Sequence, residues 1–228
     1  MTGGANLDGW YPLLLNISGR LCVVAGGGSV AERKTKGLLE AGGRVRVVSP
    51  SLTPALAEWA QTARIEWRRK EAEPADLEGA LLVFAATDDS AANRRLAEMA
   101  KAKGLLVNDA GEGEAGNFIV PAVLRRGDFV LAAATGGSAP ALAARVIRDL
   151  AAQYGPEYAD YAAALRRIRE AVKNEVADPE ERKLLLLAAA EEPSVREWVE
   201  RGGMESGQTV EWLRSLVHTR RPSGRTSQ

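Results

Sequence analysis

An apolar run, three consecutive glycines and a helix-compatible stretch follow one another in Leu21-Cys22-Val23-Val24-Ala25-Gly26-Gly27-Gly28-Ser29-Val30-Ala31-Glu32-Arg33-Lys34. Within it, Gly26, Gly28 and Ala31 fit the G-x-G-x-x-G/A spacing of a dinucleotide-binding turn. The first glycine permits a tight turn, and the second lets backbone approach a pyrophosphate. A small third residue lets the helix pack close against the strand. The N–H groups at the start of a helix have no acceptor within it, so they point at an anion that the helix dipole also favours. Glycines alone also make ordinary turns; the strand before and the helix after are what make this a nucleotide-binding signature.

The chain has 228 residues, enough to bury a real core in one or two domains. Lys and Arg together number 30, and so do Asp and Glu, so no net charge recruits a nucleic acid or a membrane surface. The N-terminus shows no basic segment followed by a long apolar core, and the apolar run from Leu184 to Ala190 is too short for a bilayer. A soluble protein is predicted. Its single cysteine, Cys22, reads as a buried core thiol, a usage that fits a reducing cytoplasm.

Strand-like and helix-like segments alternate up to about residue 110, which predicts an α/β fold with a Rossmann-type parallel sheet. Strands are expected at 20–25, 44–48, 64–68, 81–85 and 105–108, with helices at 30–41, 53–61 and 91–103. After Asp109 the pattern changes. Residues 118–124 and 129–134 read as two strands around Arg125-Arg126-Gly127-Asp128, and so brief a connection makes them antiparallel. From Ala139 onward the chain reads as helical. The expected organisation is a dinucleotide-binding domain over 1–112, a small β dimerisation and substrate-binding unit over 113–145, a helical domain over 146–220 and a disordered tail over 221–228.

Loops following the parallel strands lie at the carboxyl edge of the sheet, where such folds bind ligands. Thr87 and Asp88, in Ala85-Ala86-Thr87-Asp88-Asp89, are placed there either to bond ribose or nicotinamide or to cap the helix that follows. The acidic residue that usually holds the adenosine ribose is missing from Val47-Val48-Ser49-Pro50-Ser51, so serine hydroxyls or backbone must serve. Arg44 and Arg46 leave NAD and NADP both open on chemistry alone. Thr135-Gly136-Gly137-Ser138-Ala139-Pro140 offers backbone N–H groups and two hydroxyls, a second anion cradle suited to a carboxylate. Arg145 and Arg148 follow it on a helix. No metal-ligand cluster and no Ser/His/Asp order are visible, and His218 lies near the polar end of the chain.

Five segments then occur in one order: Tyr11-Pro12, Gly26 through Lys34, Ala85 through Asp89, Asn117-Phe118-Ile119-Val120-Pro121 and Thr135 through Pro140. Together they resemble the precorrin-2 dehydrogenase / sirohydrochlorin ferrochelatase family of siroheme biosynthesis, over roughly residues 8 to 170. The resemblance implies NAD-dependent oxidation of precorrin-2 to sirohydrochlorin, and it brings in ferrous iron, which some members insert into the product. It implies a homodimer in which the Phe118–Ala134 β unit and nearby helices exchange between subunits. Cofactor-binding residues would be Gly26, Gly27, Gly28, Ser29, Val30, Ala31, Pro50, Ser51, Thr87 and Asp88. Substrate-binding residues would be Asn117, Phe118, Thr135, Gly136, Gly137, Ser138 and Arg145, with Thr135 in place of a family serine.

The family's general base is an aspartate just after the last Rossmann strand, and its position here is Gly111. Asp109 and Glu112 flank that glycine, and Asp109, at the strand end, is the first choice for the base. The alternative is a regulatory protein that binds NAD(H) or tetrapyrrole without turnover. A Rossmann dehydrogenase for some small metabolite would explain the glycine turn but not Thr135–Pro140.

Overall fold

The computed structural model describes residues 9–111 and 115–220. The described residues form two compact units, one of those up to 121 with 134–139, the other of residues 122–133 with 140–220.

The first unit is built on five parallel strands, β1 (Leu21–Ala25), β2 (Arg44–Val48), β3 (Glu66–Arg68), β4 (Ala80–Ala85) and β5 (Leu106–Asp109). Their order across the sheet is β3-β2-β1-β4-β5, so the chain winds outward from β1 in one direction and from β4 in the other. β1 is buried at all five positions because it is central and covered on both faces. Its side chains alternate between two cores. Cys22 and Val24 join Val45, Val47, Leu82 and Phe84 beneath α1 (Ser29–Glu40) and α2 (Pro54–Gln61). Leu21, Val23 and Ala25 join Val83, Ala85 and Val107 beneath α3 (Ser90–Ala102) and a 3-10 turn at Pro74–Leu77.

Local signals set the helix ends. Thr53 caps α2 by accepting from the Leu56 N–H at 3.3 Å, with Pro54 in the first turn. α1 stops at Gly42, whose φ of +75° lets the following Gly43 N–H close back onto the Leu38 carbonyl at 2.9 Å.

One expected strand starts later than its sequence suggests. Residues 118–124 read as β-forming, yet pairing begins only at Ala122, in β6 (Ala122–Arg126), which meets β7 (Phe129–Ala133) antiparallel. Phe118 instead packs edge-on against Phe84, with ring centroids 5.4 Å apart. Pro121 has no N–H to give a ladder.

The second unit contains the β6–β7 hairpin and the helices α4 (Pro140–Gln153), α5 (Tyr158–Glu175), α6 (Pro179–Ala189), α7 (Glu192–Glu200) and α8 (Ser206–Arg220). Tyr161, Ala164, Ile168 and Val172 form the buried stripe of α5, at the spacing of one helix face. Around it pack Leu185 and Ala189 of α6, Val195 and Trp198 of α7, and Val210 and Leu213 of α8. Phe129 of the hairpin stacks with Tyr154 and Tyr158 at 5.5 and 5.2 Å between centroids. Among the described residues no helix is long and apolar enough to cross a membrane.

Candidate functional site

The strand order reverses between β1 and β4, which opens a crevice beyond their carboxyl ends. A cavity of about 530 Å³ lies there, walled by the glycine turn, Ser49–Thr53, Glu71-Ala72 and Thr87–Asp89. Ala92, Asn93, Arg95, Leu96 and Met99 of α3 complete it.

The three glycines have three different surroundings. Gly26 has a φ of +123°, and a Cβ there would lie 2.1 Å from the Ala86 carbonyl oxygen. A Cβ on Gly27 would lie 1.8 Å from the Ser51 carbonyl oxygen. Gly28 is unlike both: φ is −86°, acceptable to any residue, and a Cβ would meet nothing within 4 Å. Nothing in the chain itself demands glycine at 28. Gly28 caps α1 without any side-chain hydrogen bond, so the N–H groups of the first turn keep their donors facing outward. Ala31 is fully buried, as close helix–strand packing requires. Open space beside a glycine, outward donors and a helix N-terminus together fit the pyrophosphate of a dinucleotide.

Pro50 and Ser51 are exposed on the neighbouring wall of the cavity. Their loop is tied to the turn by the Thr53 N–H, which donates to the Gly27 carbonyl at 2.9 Å. Arg44 stands at the amino end of β2, the opposite end from the cavity. Arg46 is engaged with the Glu66 carboxylate and the Asp76 carbonyl, each at 2.9 Å.

At the β4 end, the helix-capping role falls to Asp89, whose carboxylate accepts from the Ala91 and Ala92 N–H groups at 2.8 and 3.1 Å. Thr87 donates its hydroxyl to Asn93 Oδ1 at 2.7 Å, while the Asn93 amide returns a bond to the Thr87 carbonyl at 3.0 Å. Asp88 is exposed and makes no side-chain hydrogen bond among the described residues. Asn93 and Glu71 are cavity residues that sequence reasoning missed. Neither sits in a motif, and only the folding of α3 and of the segment after β3 brings them to the crevice.

Asp109 closes β5 and is 7% exposed, its carboxylate accepting from the Gly111 N–H at 3.0 Å. A Cβ on Gly111 would lie 3.4 Å from both Asp109 Oδ1 and Asn93 Nδ2, so the Asp109 carboxylate and the Asn93 amide flank the same glycine; Asn93 lines the cavity and Asp109 does not. Glu112 lies outside the described residues. Asn117 works as a false strand beside β5: its amide accepts from the Val107 N–H at 2.7 Å and donates to the Leu105 carbonyl at 3.0 Å.

In the loop after β7, Gly136 and Gly137 both take positive φ, +63° and +85°. The Thr135 hydroxyl accepts from the Ala139 N–H at 3.1 Å, and Ser138 donates its hydroxyl to the Thr135 carbonyl at 2.6 Å. Both hydroxyls thus shape the loop, and the glycine N–H groups are the donors it leaves unused among the described residues. Arg145 is exposed on α4. Among the described residues, no group of three or more His, Cys, Asp or Glu side chains is placed to hold a metal ion.

Fold and crevice together define a dinucleotide-binding protein of the Rossmann class. Residues 13–122 match a family described as "Putative NAD(P)-binding". The siroheme synthase of Methylobacillus flagellatus is 38% identical over 173 residues, 76% of this chain and 37% of that protein. That of Xylella fastidiosa is 43% identical over 140 residues, 61% of this chain and 29% of that protein. The chain therefore spans between 29 and 37% of these relatives' length. A solved structure, SirC, precorrin-2 dehydrogenase, superposes with a TM-score of 0.72 at 27% identity, covering 90% of this chain and 100% of that one. The chain is thus similar to siroheme synthases over about three quarters of its own length and to SirC, precorrin-2 dehydrogenase, over 90% of it.

Proposed function

We propose that the chain oxidises precorrin-2 to sirohydrochlorin with NAD⁺ as hydride acceptor, in siroheme biosynthesis. The observation that carries this reading is Gly28, a glycine that the protein's own packing does not need, beside the outward donors of α1. The SirC superposition over the whole of that chain supports the choice of substrate.

When bound, the nicotinamide supplies the redox chemistry, taking two electrons and a proton as hydride. The residues of this chain bind and orient. Gly26, Gly27 and Gly28 shape the turn, and the N–H groups of Ser29, Val30 and Ala31 hold the pyrophosphate. Pro50 and Ser51 wall the adenosine side. Thr87, fixed by Asn93, and Asp88 line the β4 side. The side-chain carboxylates of precorrin-2 suit the unused N–H groups of Gly136 and Gly137, in a loop held by Thr135 and Ser138. Asn117 and Phe118 support the substrate side through their contacts with β5 and Phe84. The assignment of Arg145 to the same carboxylates rests on its place in the sequence.

Loss of hydride from precorrin-2 leaves one proton to remove. Asp109, at the carboxyl end of β5, accepts it and passes it to solvent; Glu112 is the second candidate for this base. The cytoplasm is the compartment we assign, in keeping with one unpaired, buried thiol. A homodimer is supported by Val123 of β6 and Leu142 and Val146 of α4, large apolar side chains that are 41, 43 and 37% exposed within one unit.

The test is anaerobic incubation with enzymatically generated precorrin-2 and NAD⁺, following NADH and sirohydrochlorin together. Equal growth of both products with catalytic protein is expected. Binding of both ligands without product would overturn the enzyme reading in favour of a regulatory one. Asp109→Asn is expected to lower turnover more than tenfold with little change in NAD⁺ affinity. Turnover near that of the parent protein would remove Asp109 as the base.

A further inference from the structure

The crevice lacks a carboxylate where Rossmann folds usually have one, at the end of β2, where Ser49-Pro50-Ser51 stands instead. A different carboxylate reaches the same wall. Ser49 is pinned to the neighbouring strand: its N–H donates to the Arg68 carbonyl at 3.1 Å, and its carbonyl accepts from Trp67 Nε1 at 3.0 Å. These bonds bring the chain leaving β3 alongside the chain leaving β2. Glu71 and Ala72 thereby join Ser49–Thr53 in lining the cavity.

The segment carrying Glu71 is held from below. Asp76, whose side chain is fully buried, accepts from Arg68 at 2.7 Å, from Lys70 at 3.1 Å and from the Glu73 N–H at 2.9 Å. Its neighbours are committed elsewhere. Arg68 also pairs with Glu66 at 2.9 Å, Lys70 pairs with Glu73 at 2.7 Å, and Arg69 lies over the Trp67 ring at 5.8 Å. Glu71 is exposed and makes no ion pair or hydrogen bond among the described residues. Arg68 and Lys70 are thus paired with carboxylates, and of the residues that line this wall of the cavity Glu71 is the one charged side chain.

We propose that Glu71 replaces the missing carboxylate of β2, accepting a hydrogen bond from the adenosine 2′-hydroxyl and excluding a 2′-phosphate. The role rests on the dinucleotide reading above and names the residue that selects NAD over NADP. A carboxylate accepting from a hydroxyl makes a strong, charge-assisted bond, whereas a 2′-phosphate in the same place would meet like charge.

Isothermal titration of the full chain with NAD⁺, NADP⁺ and nicotinamide hypoxanthine dinucleotide tests this without turnover. The parent protein is expected to bind NAD⁺ at least tenfold tighter than NADP⁺. Glu71→Gln should weaken NAD⁺ by roughly tenfold, the worth of one hydrogen bond to a charged group. It should leave NADP⁺ unchanged or tighter, and Glu71→Arg should reverse the preference. The melting temperature should not move, since Glu71 has no partner among the described residues. An unchanged NAD⁺/NADP⁺ ratio in Glu71→Gln would overturn the proposal alone. Lost discrimination against the hypoxanthine analogue, with the NADP⁺ ratio intact, would assign Glu71 to adenine and also overturn it. A parent protein that binds none of the three would overturn the dinucleotide reading itself.

Discussion

Gly27 sits so close to Ser51 that a Cβ on the glycine would lie 1.8 Å from the serine carbonyl oxygen. The glycine turn and the loop after β2 are therefore one rigid object, tied further by the bond from the Thr53 N–H to the Gly27 carbonyl. A Cβ on the adjacent Gly28 would meet nothing within 4 Å. The pair separates architecture from binding.

Gly27→Ala forces backbone apart and is expected to cost about 1–3 kcal/mol, the range for overpacking. In a chain of this size that lowers the melting temperature by roughly 2–4 °C per kcal/mol. Gly28→Ala should melt within about 2 °C of the parent yet bind NAD⁺ more than tenfold more weakly. Calorimetric melting and titration of both variants decide it. Gly28→Ala with parental affinity would mean that no phosphate approaches this backbone.

Asp76 makes the nucleotide end of the sheet sensitive to acid. Burial works against its charge, but the hydrogen bonds from Arg68, the Glu73 N–H and Lys70 outweigh burial and hold the carboxyl below its ordinary value. A depressed folded value means the stabilisation is complete above the unfolded carboxyl range, near pH 4, and is lost as pH falls through the folded value. Asp76→Asn is expected to lower stability by about 2 kcal/mol at pH 7, on the scale of hydrogen bonds to a charged group. Urea midpoints measured from pH 7 down to pH 3 should show the gap between parent and variant narrowing below about pH 4. A gap that is constant with pH would show that the charge of Asp76 is not what stabilises the segment.

Cys22 lies fully buried in β1, and burial pushes its thiol up to about 11. At pH 8 only about one thiol in a thousand would then be ionised, and the thiolate is the reactive form. Ellman's reagent should find almost no thiol in the native chain and one equivalent in guanidinium. Rapid reaction of the native protein would show that β1 opens readily.

Much of the first unit was legible along the chain, because local signals and burial agree there. β2 runs over Arg44–Val48 as its β-branched alternation suggests, and Thr53-Pro54 starts α2 as a cap followed by a first-turn proline. The glycine turn was legible for the same reason, a local conformation written in residues that hardly serve elsewhere. Residues 118–124 misled because their β propensity is real but their partners are not local. Phe118 finds Phe84, and Asn117 bonds the backbone of Leu105 and Val107, so the chain is held off until Ala122. Thr87 and Asp88 left capping and ligand binding equally open, and the structure gives the cap to Asp89.

By itself, then, the sequence determined the parallel α/β architecture, the antiparallel hairpin and the glycine turn, since periodicity and glycine stereochemistry act over a few residues. Tertiary structure alone decided which glycine is open to a ligand, that Asn93 holds Thr87, and that Glu71 faces the wall where β2 offers only serines. Those relationships join residues from separate strands and loops. They exist only once hydrogen bonds and packing between neighbouring strands have set the loops side by side at one edge of the sheet.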